Sequence, residues 1–200
     1  MSKDNLSLSR RRFMEASAAG AAAAATVGSA EAAHGGSTLR VRNYSDIEVL
    51  DPGYILSAPE PDVNQCLLLG LVSTQPGDDW AWAPEAAAEI DQVDDTHINF
   101  TLRDDIGWTN GFGAITAEDV KYSYERVADP AMESPYAEDW VALQTVEVHD
   151  ERSGTIVLNE AYAPLWTTTM PSGRGMIVCK EAVESLDGKR YEAAPPAVAG

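Results

Sequence analysis

A mixed α/β fold is what this sequence predicts, and three observations carry the expectation. Ile98, Phe100 and Leu102 alternate with Asn99, Thr101 and Arg103, the period-two pattern of a half-buried strand that closes into a loop at Asp104-Asp105. Thr116 stands where it can cap a helix whose third residue is Asp119, close to a capping box, and Val120, Tyr124 and Val127 follow at helical spacing. That helix must stop at Asp129-Pro130, because the residue before a proline avoids the helical region. Val146 and Val148, Thr155 to Leu158 and Met176 to Cys179 then read as further strands. With the elements that precede them, the order is strand, helix, strand, helix, then strands.

The earlier elements follow from the same rules. Leu39 and Val41 alternate with Arg40 and Arg42 as a first strand, with order expected from Thr38, and Leu50-Asp51-Pro52-Gly53 breaks regularity in a turn. Asp62 is the expected N-cap of a helix that carries Val63, Cys66, Leu67 and Gly70 on one face and ends near Gly70. Gln75-Pro76-Gly77-Asp78-Asp79 marks a loop between Thr74 and Pro84, with Trp80 and Trp82 beyond it. Asn110-Gly111 supplies a tight turn, and no internal repeat is present.

The first 32 residues read as an address and stay outside the fold reasoning. Ser9-Arg10-Arg11-Arg12-Phe13-Met14, an alanine-rich run from Ala16 to Ala33 and small residues at Ala30-Glu31-Ala32 resemble a twin-arginine signal cut after Ala32. The mildly apolar run is too short to cross a hydrocarbon core, which needs about 20 apolar residues. Residues 33–37 are the expected flexible junction, and the destination is outside the cytoplasm.

Charge narrows the classes of partner. Removing that segment leaves 29 acidic against 10 basic residues, from a whole-chain net charge of −18 with four lysines. So acidic a surface repels nucleic-acid phosphates and anionic membranes, and it suits high-salt surroundings that screen the self-repulsion. Cys66 and Cys179 could form one disulfide or remain two separately buried thiols. His34, His97 and His149 are scattered with no CxxC motif, so neither a metal site nor a cofactor is expected.

Six short words then stand in one order at one spacing: Leu50-Asp51-Pro52; Leu69-Gly70-Leu71-Val72; Pro84-Glu85-Ala86-Ala87; Phe100-Thr101-Leu102-Arg103; Trp108-Thr109-Asn110-Gly111; and Thr116-Ala117-Glu118-Asp119-Val120 with Tyr122-Ser123-Tyr124-Glu125-Arg126. The series, continued by Ser134-Pro135-Tyr136 and Tyr162-Ala163-Pro164-Leu165, resembles the extracytoplasmic solute-binding proteins of peptide-type ABC transporters, family 5, over residues 38–180. The resemblance implies part of the first lobe of a two-lobed periplasmic-binding-protein-like fold, residues 38–200 being the N-terminal portion of that lobe, with the second lobe missing.

It also implies a function: a binding module rather than an enzyme, which captures a peptide or a related solute and hands it to a membrane permease. Relatives carry peptides, nickel complexes, haem or sugars, so the ligand stays open. Two competing readings are an exported hydrolase, for which GxSxG and HExxH motifs are lacking, and a truncated fragment that binds weakly or undetectably by itself.

Carried over by position, Leu56, Ser57 and Ala58 are where a bound peptide would run alongside and pair with the backbone; the alternative is an ordinary surface loop after a proline turn. Tyr136 matches a tyrosine facing the ligand cleft, or else packs on the preceding helix. Trp80, Trp82 and Trp108 are read as core, Glu118 and Asp119 as a helix cap, and Asp78-Asp79 and the run Asp91 to Asp95 as solvated faces.

Overall fold

A computed structural model describes residues 42–200 apart from Asp78 and Trp80. The expected signal segment, the junction at 33–37 and the first strand at Leu39 and Val41 lie outside the described residues.

Four antiparallel strands make the main sheet in the order β3-β4-β8-β7: β3 Ala87–Gln92, β4 His97–Leu102, β7 Leu143–Val148 and β8 Ser153–Leu158. The alternation seen in β4 sets the register, with Ile98 opposite Ile156 and Ile156 opposite Val146, so one apolar face is continuous across three strands. Phe100 lies over Gly154 so closely that a Cβ there would meet its ring at 2.8 Å.

Helix α2, Ala117–Ala128, covers that face. Its capping box is complete with aspartate in the third position: Asp119 N–H donates to Thr116 Oγ1 at 3.3 Å and Thr116 N–H to Asp119 Oδ2 at 2.9 Å. Val120, Tyr124 and Val127 enter the core, where Tyr124 stacks on Trp140 at 4.1 Å between centroids. Polar residues of the same helix dock its neighbours. Lys121 and Glu125 together bind the outer edge of β7, Lys121 Nζ donating to Val146 C=O at 2.8 Å and Val146 N–H to Glu125 Oε1 at 2.9 Å. An otherwise open strand edge is thereby satisfied.

The remaining strands form two small ribbons. β1 (Val72–Thr74) pairs with β2 (Trp82–Pro84), making the expected loop at Gln75–Asp79 the connection of a hairpin, and β5 (Gly107–Trp108) pairs with β6 (Gly113–Ala114). Asn110 and Gly111 turn between β5 and β6 with φ of 62° and 86°, as their sequence signal predicts. Residues near the end of the chain join this ribbon: Trp108 bridges Ala199, and Thr109 N–H donates to Val198 C=O.

Four expectations are corrected. Helix α1 spans Pro59–Asn64, earlier and shorter than an Asp62–Gly70 helix, because two prolines suit a first turn and Ala58, not Asp62, is the cap. Gly70 instead bridges Met176, where a Cβ would stand 2.9 Å from Val72 C=O. Met176 to Cys179 is no strand: Ile177 N–H reaches Leu69 C=O, but Val178 N–H is taken by Ser123 Oγ at 2.9 Å, so no ladder propagates. Both cysteines are free, Cys66 exposed and Cys179 buried, which excludes the disulfide and one of the two buried thiols.

Candidate functional site

Leu50-Asp51-Pro52 and Glu125-Arg126, two of the sequence words, meet in the interior. Arg126 Nη2 and Nη1 lie 2.6 and 2.8 Å from the two Asp51 oxygens, with side chains 3% and 0% exposed. This bidentate pair pins the turn after Leu50 to the last part of α2. Asp51 also accepts from Gly53 N–H at 3.1 Å, and Arg126 donates to Lys189 C=O at 2.9 Å, tying in the segment that carries Arg190 and Tyr191.

From that anchor the chain runs past the predicted site. Three side chains from residues 54 and 134–136 clasp residues 53–55 against residues 132–136: Tyr54 OH donates to Met132 C=O at 2.7 Å, Ser134 Oγ to Gly53 C=O at 2.6 Å, and Tyr136 OH to Ile55 C=O. Tyr136 is half-buried, and the Arg174 guanidinium covers its ring at 4.6 Å while pairing with Asp139 at 2.8 Å. Tyr136 and the 56–58 segment are therefore neighbours, joined through Ile55. The Leu56 side chain is 80% exposed, Ser57 is half-buried and Ala58 is exposed.

Sequence reasoning missed the residue that organises this segment. Glu60 is 1% exposed, and its carboxylate accepts four backbone N–H groups: Glu48 and Val49 on Oε1 at 3.0 and 2.8 Å, Leu56 and Ser57 on Oε2 at 3.1 and 3.0 Å. Burial by itself would raise its pKa, but the four donors outweigh it and hold the carboxyl at about 2. The available signal was an acid flanked by prolines inside the first turn of a helix, which a helix-start reading absorbs.

Val49 and Leu56 line a surface cleft of about 550 Å³ with Tyr54, Glu133, Pro135, Arg190 and Tyr191. Arg190 lies over the Tyr54 ring at 5.6 Å, and Arg126 lies 5.9 Å from the same ring. Burial raises the Tyr191 phenol pKa, so the ring stays neutral. The wall thus offers aromatic faces, one exposed guanidinium and the exposed carboxylates of Glu133, Asp187 and Glu192, a mixed polar and aromatic set suited to holding a small polar chain.

The other predicted residues fall elsewhere. Trp108 is buried and donates to Asp119 Oδ2 at 3.1 Å, while Trp82 is half-buried and stacks on Trp166 at 4.6 Å. Asp119 does more than cap, because it also accepts Lys180 N–H at 2.8 Å where helix α3, Lys180–Glu184, begins. Asp91 falls within strand β3 and Asp94 binds the turn before β4, while Asp78 and Trp80 lie outside the described residues. Among the described residues, no group of three or more His, Cys, Asp or Glu is arranged to hold a metal ion.

Comparison with known proteins gives this geometry its context. Residues 81–200 match the family model described as bacterial extracellular solute-binding proteins, family 5 Middle. The periplasmic oligopeptide-binding protein OppA of Escherichia coli is 37% identical over 100 residues, 50% of this chain and 18% of that protein. The Salmonella typhimurium OppA is 36% identical over 121 residues, 60% of this chain and 22% of that protein. The matched part is thus about a fifth of the length of these curated relatives. Among solved structures, the murein tripeptide binding protein MppA of E. coli superposes with a TM-score of 0.61 at 26% identity, covering 71% of this chain and 31% of that one. MoaA of A. tumefaciens R10, solved with mannopinic acid, gives 0.64 at 26% identity, covering 70% and 29%. With an α/β fold of the periplasmic-binding-protein kind and a family match over more than half its length, the chain belongs to the bacterial extracellular solute-binding proteins of family 5.

Proposed function

We propose that this chain is part of the substrate-binding component of an ABC importer, which captures peptides or a closely related small solute outside the cytoplasm and delivers them to the membrane permease. Residues 1–32 act as a twin-arginine-type signal peptide, 33–37 as the junction, and 38–200 as the N-terminal portion of the first lobe. The ligand main chain runs along Leu56, Ser57 and Ala58 as an added strand would. Tyr136 supports that wall through Ile55.

One observation carries the reading: Leu56 lies exposed at a cleft of about 550 Å³, with Ala58 exposed two residues on, while the backbone around them is held by the buried Glu60 and the Tyr54, Ser134 and Tyr136 hydroxyls. Exposed main chain on a rigid support is what side-chain-tolerant peptide capture requires. The names of OppA and MppA point to the same ligand class.

The test is titration of the isotope-labelled chain with trialanine, read by amide chemical shifts, which detect dissociation constants of about 1 mM, or roughly −4 kcal/mol. Shifts centred on residues 54–58 and 190–192, with the peptide recovered intact, are expected. Cleaved peptide, or shifts confined to other faces, would overturn the proposal.

A further inference from the structure

The Glu60 carboxylate joins two stretches that both border the cleft, and it does so by consuming specific main-chain donors. Val49 and Leu56 line the cleft, and each gives its N–H to a different oxygen of the one carboxylate. Ser57 N–H is consumed in the same way at 3.0 Å. Among the described residues no donor reaches the Leu56 carbonyl, whereas the Ile55 carbonyl is taken by Tyr136 OH and the Ser57 carbonyl opens the turn into helix α1. Leu56, which lines the cleft, is therefore left with a main-chain acceptor and without a donor.

We propose that Glu60 is the positioning residue of this cleft: it locks residues 48–49 to residues 56–57 and leaves Leu56 acceptor-only on its main chain, so that the ligand must bring an N–H donor to it. The inference rests on the peptide-binding reading and adds which groups of the peptide are recognised there. A free carboxylate placed against Leu56 would meet a carbonyl and no main-chain donor. A ligand amide N–H or ammonium group can donate to that carbonyl. Deleting Glu60 would release the Leu56 and Ser57 donors and free the two stretches to move apart.

Two measurements on the 200-residue chain test this. Amide hydrogen exchange in the unmodified protein is expected to be slow at Glu48, Val49, Leu56 and Ser57 despite the exposed Leu56 side chain. In Glu60→Gln, which keeps the shape but halves the acceptor oxygens, those amides should lose protection while Ile177, whose N–H is bound to Leu69 C=O, keeps it. Binding is read with trialanine and with trialanine methylated at its amide nitrogens. N-methylation should weaken binding about tenfold, and Glu60→Gln should both weaken trialanine by a similar factor and shrink the penalty of methylation.

Fast exchange of the four amides in the unmodified protein overturns the inference without any variant. So does equal binding of the methylated and unmethylated peptides, which would leave the peptide-binding proposal standing. If trialanine does not bind at all, the peptide proposal fails. The positioning role is then decided by the exchange data, supported if Glu60→Gln unprotects those amides and overturned if it does not.

Discussion

Replacing Asp51 by alanine should destabilise this domain more than almost any other single polar substitution. The change removes both carboxylate oxygens that accept from the Arg126 guanidinium, at 2.6 and 2.8 Å, in a place where the arginine side chain is only 3% exposed. Lys189 C=O would remain its one neutral acceptor, and Gly53 N–H would lose its partner as well. An uncompensated buried charge of this kind costs about 3–5 kcal/mol, against roughly 0–1 kcal/mol for a pair at the surface. For a domain of this size about 4 kcal/mol lowers the melting temperature by roughly 8–16 °C.

The assay is denaturant unfolding followed by tryptophan fluorescence, for which the buried Trp140 is a natural reporter. Arg126→Met alone should cost a similar amount, because it strands the carboxylate. Asp51→Leu combined with Arg126→Met should recover most of the loss, giving a coupling energy of about 2 kcal/mol or more. A single-variant loss under about 1 kcal/mol, or additive behaviour of the two changes, would refute the claim that this pair anchors the turn to α2.

Other expectations follow from particular contacts. Glu60 ionises at about 2 in the fold, against 4.5 as the ordinary value, so its contribution is complete above about pH 4.5 and is lost as pH falls towards 2. That difference amounts to about 3 kcal/mol, and an acid-unfolding profile of Glu60→Gln that parallels the unmodified protein over this window would contradict it. Gly175→Ala would drive a Cβ into the Met170 backbone, against its C=O and Cα, so a loss at or above about 3 kcal/mol is expected, and an unchanged melting temperature would refute the close approach. Thr116→Ala removes the α2 cap and should cost about 1 kcal/mol, read in the same denaturant assay. In a thiol-reagent time course on the native protein, Cys66 should react readily while Cys179 waits for unfolding, since burial hides the latter and raises its pKa; equal rates would contradict this.

Where local chemistry decides structure, the sequence was a good guide. Strand β4, the α2 capping box, the stop at Asp129-Pro130 and the Asn110-Gly111 turn are each written in a few adjacent residues, and each stands where expected. Strand β3 was not recognised because an edge strand with Ala88, Glu89, Asp91 and Gln92 exposed carries almost no period-two signal. The segment Met176 to Cys179 looked like a strand because it is apolar. Its amides were claimed by Ser123 and Leu69, more than fifty residues away in each case. The placing of a ligand along Leu56 to Ala58 rests on the resemblance and on no local pattern of residues, because a main-chain surface leaves no side-chain signature.

By itself the amino-acid sequence determined the α/β class, the family and the places where helices and turns start or stop, because propensities, caps and period-two alternation act over a handful of residues. The tertiary structure alone decided that Asp51 meets Arg126, that Tyr136 reaches Ile55, and that one buried glutamate gathers four amides into a cleft wall. Those arrangements depend on burial, which strengthens a charge-assisted bond and penalises an unmet one, and burial is a property of the assembled core rather than of any local stretch of chain.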